Sequence, residues 1–311
     1  MLNISIIELR RAFKVKRGIT TEELSYQFKD EKKAIEVYAA IGFDALDYSY
    51  DMYAYPGSPY ALDSYLEYAK EIKKVADRNH IVFNQLHAPL YHHRVDIPMT
   101  ETELKEEEFL KSMTLRSFEV ANILGCKYIV MHPRKFKNYK TLEDHHKLRE
   151  YNLNMFKEFI PYIKKYNIQI AIENMFVFDD KTHISVDTSL RTAEEMVSYI
   201  DELGSEYFVA CLDTGHANIN GLNPCNMAKI LGNRLKVLHI HDNFGQLDQH
   251  LICGLGTIDW NLFIKTLSDI NFQGVFSLET CGMMYNMDPG IAEDCVRFEF
   301  QVINKLLNNI K

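Results

Sequence analysis

The sequence predicts a closed (β/α)8 barrel covering residues 1–311 as a single domain, and three observations lead there. Short apolar runs alternate with helical patterns eight times along the chain. No Gly-x-Gly-x-x-Gly follows the first run, which disfavours an open doubly wound sheet. Six of the runs end in a carboxylate or a histidine: QLHAP (His87), IVMHP (His132), IAIEN (Glu173), VACLDTGH (Asp213, His216), KVLHIHD (His239, His241, Asp242) and VFSLET (Glu279). Successive ends lie about 26 to 45 residues apart, room for one helix and one new strand each time.

The strand-like runs fall near residues 2–8, 44–49, 81–87, 127–132, 168–173, 207–212, 235–241 and 273–279. Many are rich in Val and Ile, as parallel strands buried on both faces tend to be. Apolar residues three and four apart predict helices over 30–41, 62–76, 102–124, 142–165, 191–203, 224–231, 259–269 and 289–308. A glycine or asparagine stops several of them, as in IGFDAL, LGCKYI and KYNIQI, where the chain must turn left-handed to leave the helix. Closing the sheet leaves no edge exposed. Chemistry in such a barrel sits on the loops after the C-terminal strand ends. The long connections at 9–29, 88–101, 174–190 and 243–258 are therefore expected to form walls or lids.

Composition excludes some function classes. A formal charge of −8 with a pI near 5.9 weighs against nucleic-acid or anionic-membrane partners. The six cysteines are scattered with no Cys-x-x-Cys pair, which predicts reduced thiols and a cytoplasmic location. The opening MLNISIIELRRAFK has too short an apolar run for a secretory leader. No stretch reaches 18 uninterrupted apolar residues, so no membrane span is expected.

A parallel barrel brings all its strand ends to one rim, so residues remote in sequence converge there. Glu173, Asp213, His239 and Glu279 end the last four predicted strands. Taken singly, each is as readily a helix cap or an ion-pair partner. Four in series make an oxygen-rich set for a divalent cation, Mn²⁺ or Zn²⁺ first, with Mg²⁺ and Co²⁺ as alternatives. A second set, His87, His132, His216, Asp248 and His250, is expected to orient those ligands or to hydrogen-bond a substrate.

The strings LDTGHAN, HIHDN, D-x-H-L-x-x-G-x-G-x-I-D-W (Asp248 to Trp260) and the AIEN and SLET strand ends resemble the xylose-isomerase-like superfamily of TIM barrels. That resemblance covers essentially the whole chain. It implies a metal held by Glu173, Asp213, His239 and Glu279. His239 is preferred over His241 because the family's metal histidine precedes an acidic residue by three positions, a spacing that Asp242 fits. His241 faces the same interior and is assigned to the supporting set.

The implied activity is isomerisation or epimerisation of a sugar, sugar phosphate or related polyol-ketone. A proton moves through a metal-stabilised enediolate, with Glu173 and Glu279 as base and acid. The superfamily also contains inosose dehydratase-like lyases and the endonuclease IV group of abasic-site nucleases. All nine ligand types of the trinuclear nucleases are matched when His87, His132, His216, Asp248 and His250 are added. The acidic balance and HAPLYHHRVDIP, unlike a DNA-penetrating loop, disfavour that branch. A non-catalytic metal-bound sugar binder is a third reading.

In the ketose 3-epimerase branch an arginine stands six residues beyond the metal histidine; here that position is Gly245. Arg134 and the basic segment RRAFKVKR (Arg10, Arg11, Lys14, Lys16, Arg17) are candidates to reach a phosphate. Tyr48, Tyr50, Tyr53 and Tyr55 are read either as a sugar-stacking face or as part of a homo-oligomer interface. Trp260 is expected to pack beside the site.

Overall fold

Residues 15–308 are described by the computed structural model. In chain order the strands are β1 (Lys16–Thr20), β2 (Ala45–Tyr48), β3 (Val82–His87), β4 (Tyr128–Met131), β5 (Gln169–Glu173), β6 (Val177–Phe178), β7 (Ser185–Val186), β8 (Phe208–Asp213), β9 (Leu235–His239) and β10 (Val275–Leu278). The helices are α1 (Glu22–Phe28), α2 (Glu31–Ile41), α3 (Tyr65–Arg78), α4 (Glu101–Leu124), α5 (Leu142–Lys157), α6 (Ile160–Tyr166), α7 (Ala193–Leu203), α8 (Thr214–Ile219), α9 (Pro224–Leu231), α10 (Trp260–Asp269) and α11 (Pro289–Asn308).

Eight of the strands form one parallel sheet in the order β10-β1-β2-β3-β4-β5-β8-β9. The Ile240 amide donates to Ser277 O at 2.8 Å and the Glu279 amide to Ile240 O at 3.0 Å, which joins β9 to β10 and closes the barrel. β6 and β7 pair antiparallel in the loop after β5.

Alternation along the strands divides the apolar residues into two cores. Phe208, Ala210 and Leu212 of β8, Ile170 and Ile172 of β5, and Leu238 of β9 pack outward into the helix layer. Val130, Ala171, Val209, Cys211 and Val237 fill the interior as a separate cluster. The residues that extend those inward rows are His132, Glu173, Asp213 and His239, so the same two-residue period that builds the barrel's plug puts polar groups directly above it. In β3 the register slips at Asn84: Leu46 pairs with Phe83, but Asp47 pairs with Gln85. This extra residue turns Phe83 outward while Gln85 and His87 point inward.

The expected helix stops are present. Gly42 and Gly125 cap α2 and α4 with φ of +115° and +82°, and Asn167 caps α6 with φ of +53°. The predicted helix over 142–165 is two helices, broken before Pro161, whose missing N–H cannot continue the ladder.

One strand departs from expectation. The first barrel strand is KRGIT at 16–20, not the run at 2–8, which lies outside the described residues, as do Arg10, Arg11 and Lys14. Arg17 therefore sits in the strand, near the rim opposite the ligand-bearing ends. Its guanidinium holds Asp44 at 2.7 and 3.0 Å and Asn304 at 3.1 Å, so it is not a loop cation available to a phosphate.

The tyrosine run is also internal. Tyr48 and Tyr50 are fully buried and pack with Tyr53 and Tyr60 beside the carboxyl of Glu31; Tyr55, the last of the run, is well exposed. These rings hold α2 and α3 against the barrel rather than forming a sugar face. All six cysteines are free thiols. Among the described residues, no helix is long and apolar enough to cross a membrane.

Candidate metal centre

Most ligand-type side chains arrive at or just beyond a strand end; His216 comes from α8, and Asp248 and His250 from the loop after β9. The β8–β9 register pairs Asp213 with His239, and β5–β8 sets Glu173 beside Cys211. One donor atom from each of Glu173, Asp213, His239 and Glu279 lies within 4.8 Å of the others. His239 Nδ1 is 3.3 Å from Glu173 Oε1 and 3.2 Å from Glu279 Oε2, so the two glutamates flank one imidazole nitrogen.

The other histidines surround this group. Glu173 Oε2 lies 2.9 Å from His132 Nε2 and 3.6 Å from His87 Nε2. Asp213 Oδ2 is 3.1 Å from His241 Nε2, and His250 Nε2 is 3.1 Å from Asp248 Oδ2. Asp213–His216–His241 and His241–His250–Glu279 are further groups with donor atoms as close as 4.8 Å. The structure thus brings together all nine residues of the two expected sets, and His241 with them.

The ring nitrogens show a common pattern. His87 Nδ1 lies 2.9 Å from Ala88 O, His216 Nδ1 2.9 Å from Asn174 O, and His250 Nδ1 2.7 Å from Glu279 O. Each carbonyl can only accept, so the proton sits on Nδ1 and the lone pair of Nε2 faces the cluster. His239 is reversed: Nε2 donates to Asp47 Oδ2 at 3.0 Å and Nδ1 faces Glu173 and Glu279. Fixing the outer nitrogen so that the inner one is basic is how proteins prepare imidazoles as metal ligands.

Electrostatics separate the two glutamates. Burial alone would raise both carboxyls, yet His239 and His132 hold Glu173 well below the ordinary range. Burial pushes Glu279 up to about 7 despite His239 and His250. The buried atoms Asp248 Oδ1, His241 Nδ1 and Asp47 Oδ1 have no hydrogen-bond partner. Acceptor atoms left bare in a mixed oxygen–nitrogen cluster fit a divalent cation.

The loop glycines and Trp260 serve this architecture. A Cβ on Gly215 would overlap the His241 ring, and one on Gly256 would overlap Asn243 O and Asp242 Oδ1. The Trp260 indole donates to Asp242 Oδ2 at 2.8 Å, and Asp242 also accepts from the Gly254 and Ile258 amides at 2.9 and 3.2 Å. Trp260 is buried, with its ring against Phe263 and Phe276, and its indole supports the loop through Asp242. Asp213 doubles as a helix cap, with Oδ1 accepting from the His216 amide at 2.6 Å at the start of α8.

Arg134 lines a cavity of about 340 Å³ together with His132, but it is engaged by the protein itself. Its guanidinium forks onto Glu107 and lies 4.6 Å from the Tyr91 ring centroid, which engages the group expected to reach a phosphate. Two residues escaped sequence reading. Asp47 also ends a strand in a carboxylate, but the Tyr-rich stretch after it drew the weight. Lys135, masked by Arg134 beside it, turns toward the cluster.

Residues 35–298 match the family described as xylose isomerase-like TIM barrel. The chain belongs to that family. A D-psicose 3-epimerase of Enterocloster bolteae is 34% identical over 90 residues, 29% of this chain and 28% of the relative. A probable endonuclease 4 of Mycoplasmopsis agalactiae is 21% identical over 226 residues, 68% of this chain and 72% of the relative. The first curated relatives are matched over about half their length. Among solved structures, a D-tagatose 3-epimerase-like protein superposes with a TM-score of 0.69 at 22% identity, covering 93% of this chain and 98% of the other. The IolI protein with a bound zinc atom gives 0.69 at 19% identity, covering 94% and 99%. At these identities the superpositions describe the shared barrel.

Proposed function

We propose that this protein is a divalent-metal-dependent isomerase or epimerase that moves a proton on a carbon next to the carbonyl of a sugar or sugar derivative. The observation that carries the reading is the placement of Glu173 and Glu279 at 3.3 and 3.2 Å on either side of His239 Nδ1, at the end of a closed barrel. The sugar 3-epimerase relatives support it.

Glu173, Asp213, His239 and Glu279 would hold the cation, which supplies Lewis acidity to adjacent carbonyl and hydroxyl oxygens. Mn²⁺ or Zn²⁺ suits the three carboxylates and one imidazole, and the zinc-bound barrel neighbour is in line with this. Glu173 and Glu279 approach from β5 and β10, so one can take a proton from carbon while the other returns it. His239 and His132 hold the Glu173 carboxyl well below the ordinary range, so it is ionised and ready to take a proton. The plug of Val130, Ala171, Val209, Cys211 and Val237 excludes water from below.

The two further groups, Asp213–His216–His241 and His241–His250–Glu279, favour a second reading: phosphodiester cleavage with three cations. Elemental analysis and solvent-deuterium exchange decide between them. We expect one ion per chain and deuterium incorporated at carbon in at least one ketose, lost on chelation and restored by Mn²⁺ or Zn²⁺. Full turnover by metal-free protein would sink the first reading. Three ions with salt-sensitive cleavage of abasic duplex DNA would establish the second.

A further inference from the structure

Two cations stand side by side in the loops after β3 and β4. Arg94, in the loop after β3, forms a parallel bridge with Lys135, in the loop after β4, and the Val95 amide donates to Lys135 O at 3.1 Å. Bridge partners in parallel register carry their side chains on the same face, and the Lys135 ammonium feels the Arg94 charge. It also feels Glu173 and Asp248, which places it within electrostatic range of the metal cluster.

Lys135 Nζ donates to Phe176 O at 3.3 Å and lies 5.7 Å from the Phe176 ring, which also packs against the His216 and Phe178 rings at 4.7 and 5.0 Å. Among the described residues Arg94 donates only to Phe136 O, at 3.4 Å, and it lines a cavity of about 530 Å³ between residues 136–140 and the β6–β7 hairpin, whose far side carries Asp179, Asp180 and Asp187. An ammonium has three donors and a guanidinium five, so most of theirs find no protein acceptor. Both side chains are only partly exposed. Among the described residues no carboxylate pairs directly with either. Burial and Arg94 together push the Lys135 ammonium down to about 8. A half-buried pair of like charges is a standing cost to the fold, and a neutral hydroxyl would not offset it.

We propose that Lys135 and Arg94 form a subsite for an anionic substituent, so that the substrate is a ketose carrying a phosphate monoester or a carboxylate remote from its reacting carbonyl. This rests on the sugar reading above and narrows it. The cation that faces the site is the neighbour of Arg134, not Arg134 itself.

The test compares metal-loaded wild type with Lys135→Met, Arg94→Gln and Lys135→Arg. The substrates are a ketohexose, its 1- and 6-phosphates, and a keto sugar acid. Wild type should favour one anionic sugar over the neutral one by at least about 10-fold in kcat/KM. Lys135→Met should remove about 10- to 100-fold of that preference, mainly through KM, and Lys135→Arg should retain most of it. Preference for a phosphate over the acid, or the reverse, identifies the anion.

Binding of inorganic phosphate, followed by ³¹P NMR, examines the pair independently of turnover: wild type should bind it and Lys135→Met should bind it at least about 10-fold more weakly. If wild type handles the neutral ketose as well as every anionic one, or if the preference survives in both Lys135→Met and Arg94→Gln, the subsite does not exist while the sugar reading stands. If no sugar exchanges deuterium, the sugar reading fails. Phosphate binding that does not depend on Lys135 then overturns the subsite as well.

Discussion

Asp47 Oδ2 lies 3.0 Å from His239 Nε2 and also accepts from Gln85 Nε2 at 2.6 Å. Gln85 fixes the carboxylate, the carboxylate fixes the imidazole tautomer, and the imidazole presents Nδ1 to Glu173 and Glu279. In Asp47→Asn the Gln85 amide still claims the side-chain oxygen, and His239 loses its charged acceptor. Affinity for Mn²⁺ or Zn²⁺ should fall about 10- to 100-fold, with the fold retained. Chelator competition measures this, and unchanged affinity would remove Asp47 from the centre.

Glu173→Gln and Glu279→Gln should each lower turnover by about 10²- to 10⁴-fold, the usual range for a positioned acid or base. Deuterium exchange into the substrate separates the two roles. The residue that removes the proton abolishes exchange, whereas loss of the returning acid permits some exchange without product. Equal, small effects from both would argue against proton transfer here.

A cation that binds the assembled cluster of the folded chain, and not the unfolded chain, stabilises the fold by mass action. Saturating cation should therefore raise the melting temperature by several degrees, since ligand at 100 times Kd contributes about 2.7 kcal/mol. A thermal melt with and without chelator is the measurement, and no shift would count against a metal at this site.

Gly215→Ala and Gly221→Ala form a matched pair. A methyl at 215 overlaps the buried His241 ring, whereas at 221 nothing lies within 4 Å and only the φ of +68° is penalised. The first should destabilise by about 1–3 kcal/mol and displace His241, reducing activity. The second should cost about 1 kcal/mol and leave activity near wild type. Urea unfolding and turnover, read together, distinguish them.

Stability should fall as pH rises from about 4.5 to 7. Burial raises the Glu31 carboxyl to about 7, although Tyr48, Tyr68 and Tyr53 bond to it. In the unfolded chain the same group titrates near 4.5, so between these values the folded state binds more protons and loses stability with increasing pH. The full effect is about 3 kcal/mol. Glu299, raised to about 8 by burial, acts in the same direction. Glu31→Gln should flatten the wild-type slope in this window, measured by urea unfolding at several pH values.

Seven barrel strands were legible because short runs dominated by apolar residues carry them, as in IVM and IAI. β1 was not. In KRGIT, Arg17 serves an ion pair with Asp44, and Gly18 is small because Val275 occupies the space its side chain would take. Neither requirement leaves an apolar signature, whereas NISIIEL imitates one. The site was legible where a strand ended cleanly in His, Asp or Glu. Arg134 and Lys135 show the limit: sequence places both beside His132, but only the pairing with Glu107 decides which of the two turns away.

The apolar plug beneath the centre makes the barrel a blind shaft. On the proposed function, cation, sugar and solvent would share one doorway, because Val130, Ala171, Val209, Cys211 and Val237 form an apolar plug beneath the centre. Traffic through a single doorway has an order: the cation is first in and last out, and a bound sugar stands between it and any scavenger. Occupancy by substrate should therefore slow loss of the metal, so a working enzyme keeps its cation longest when its substrate is abundant.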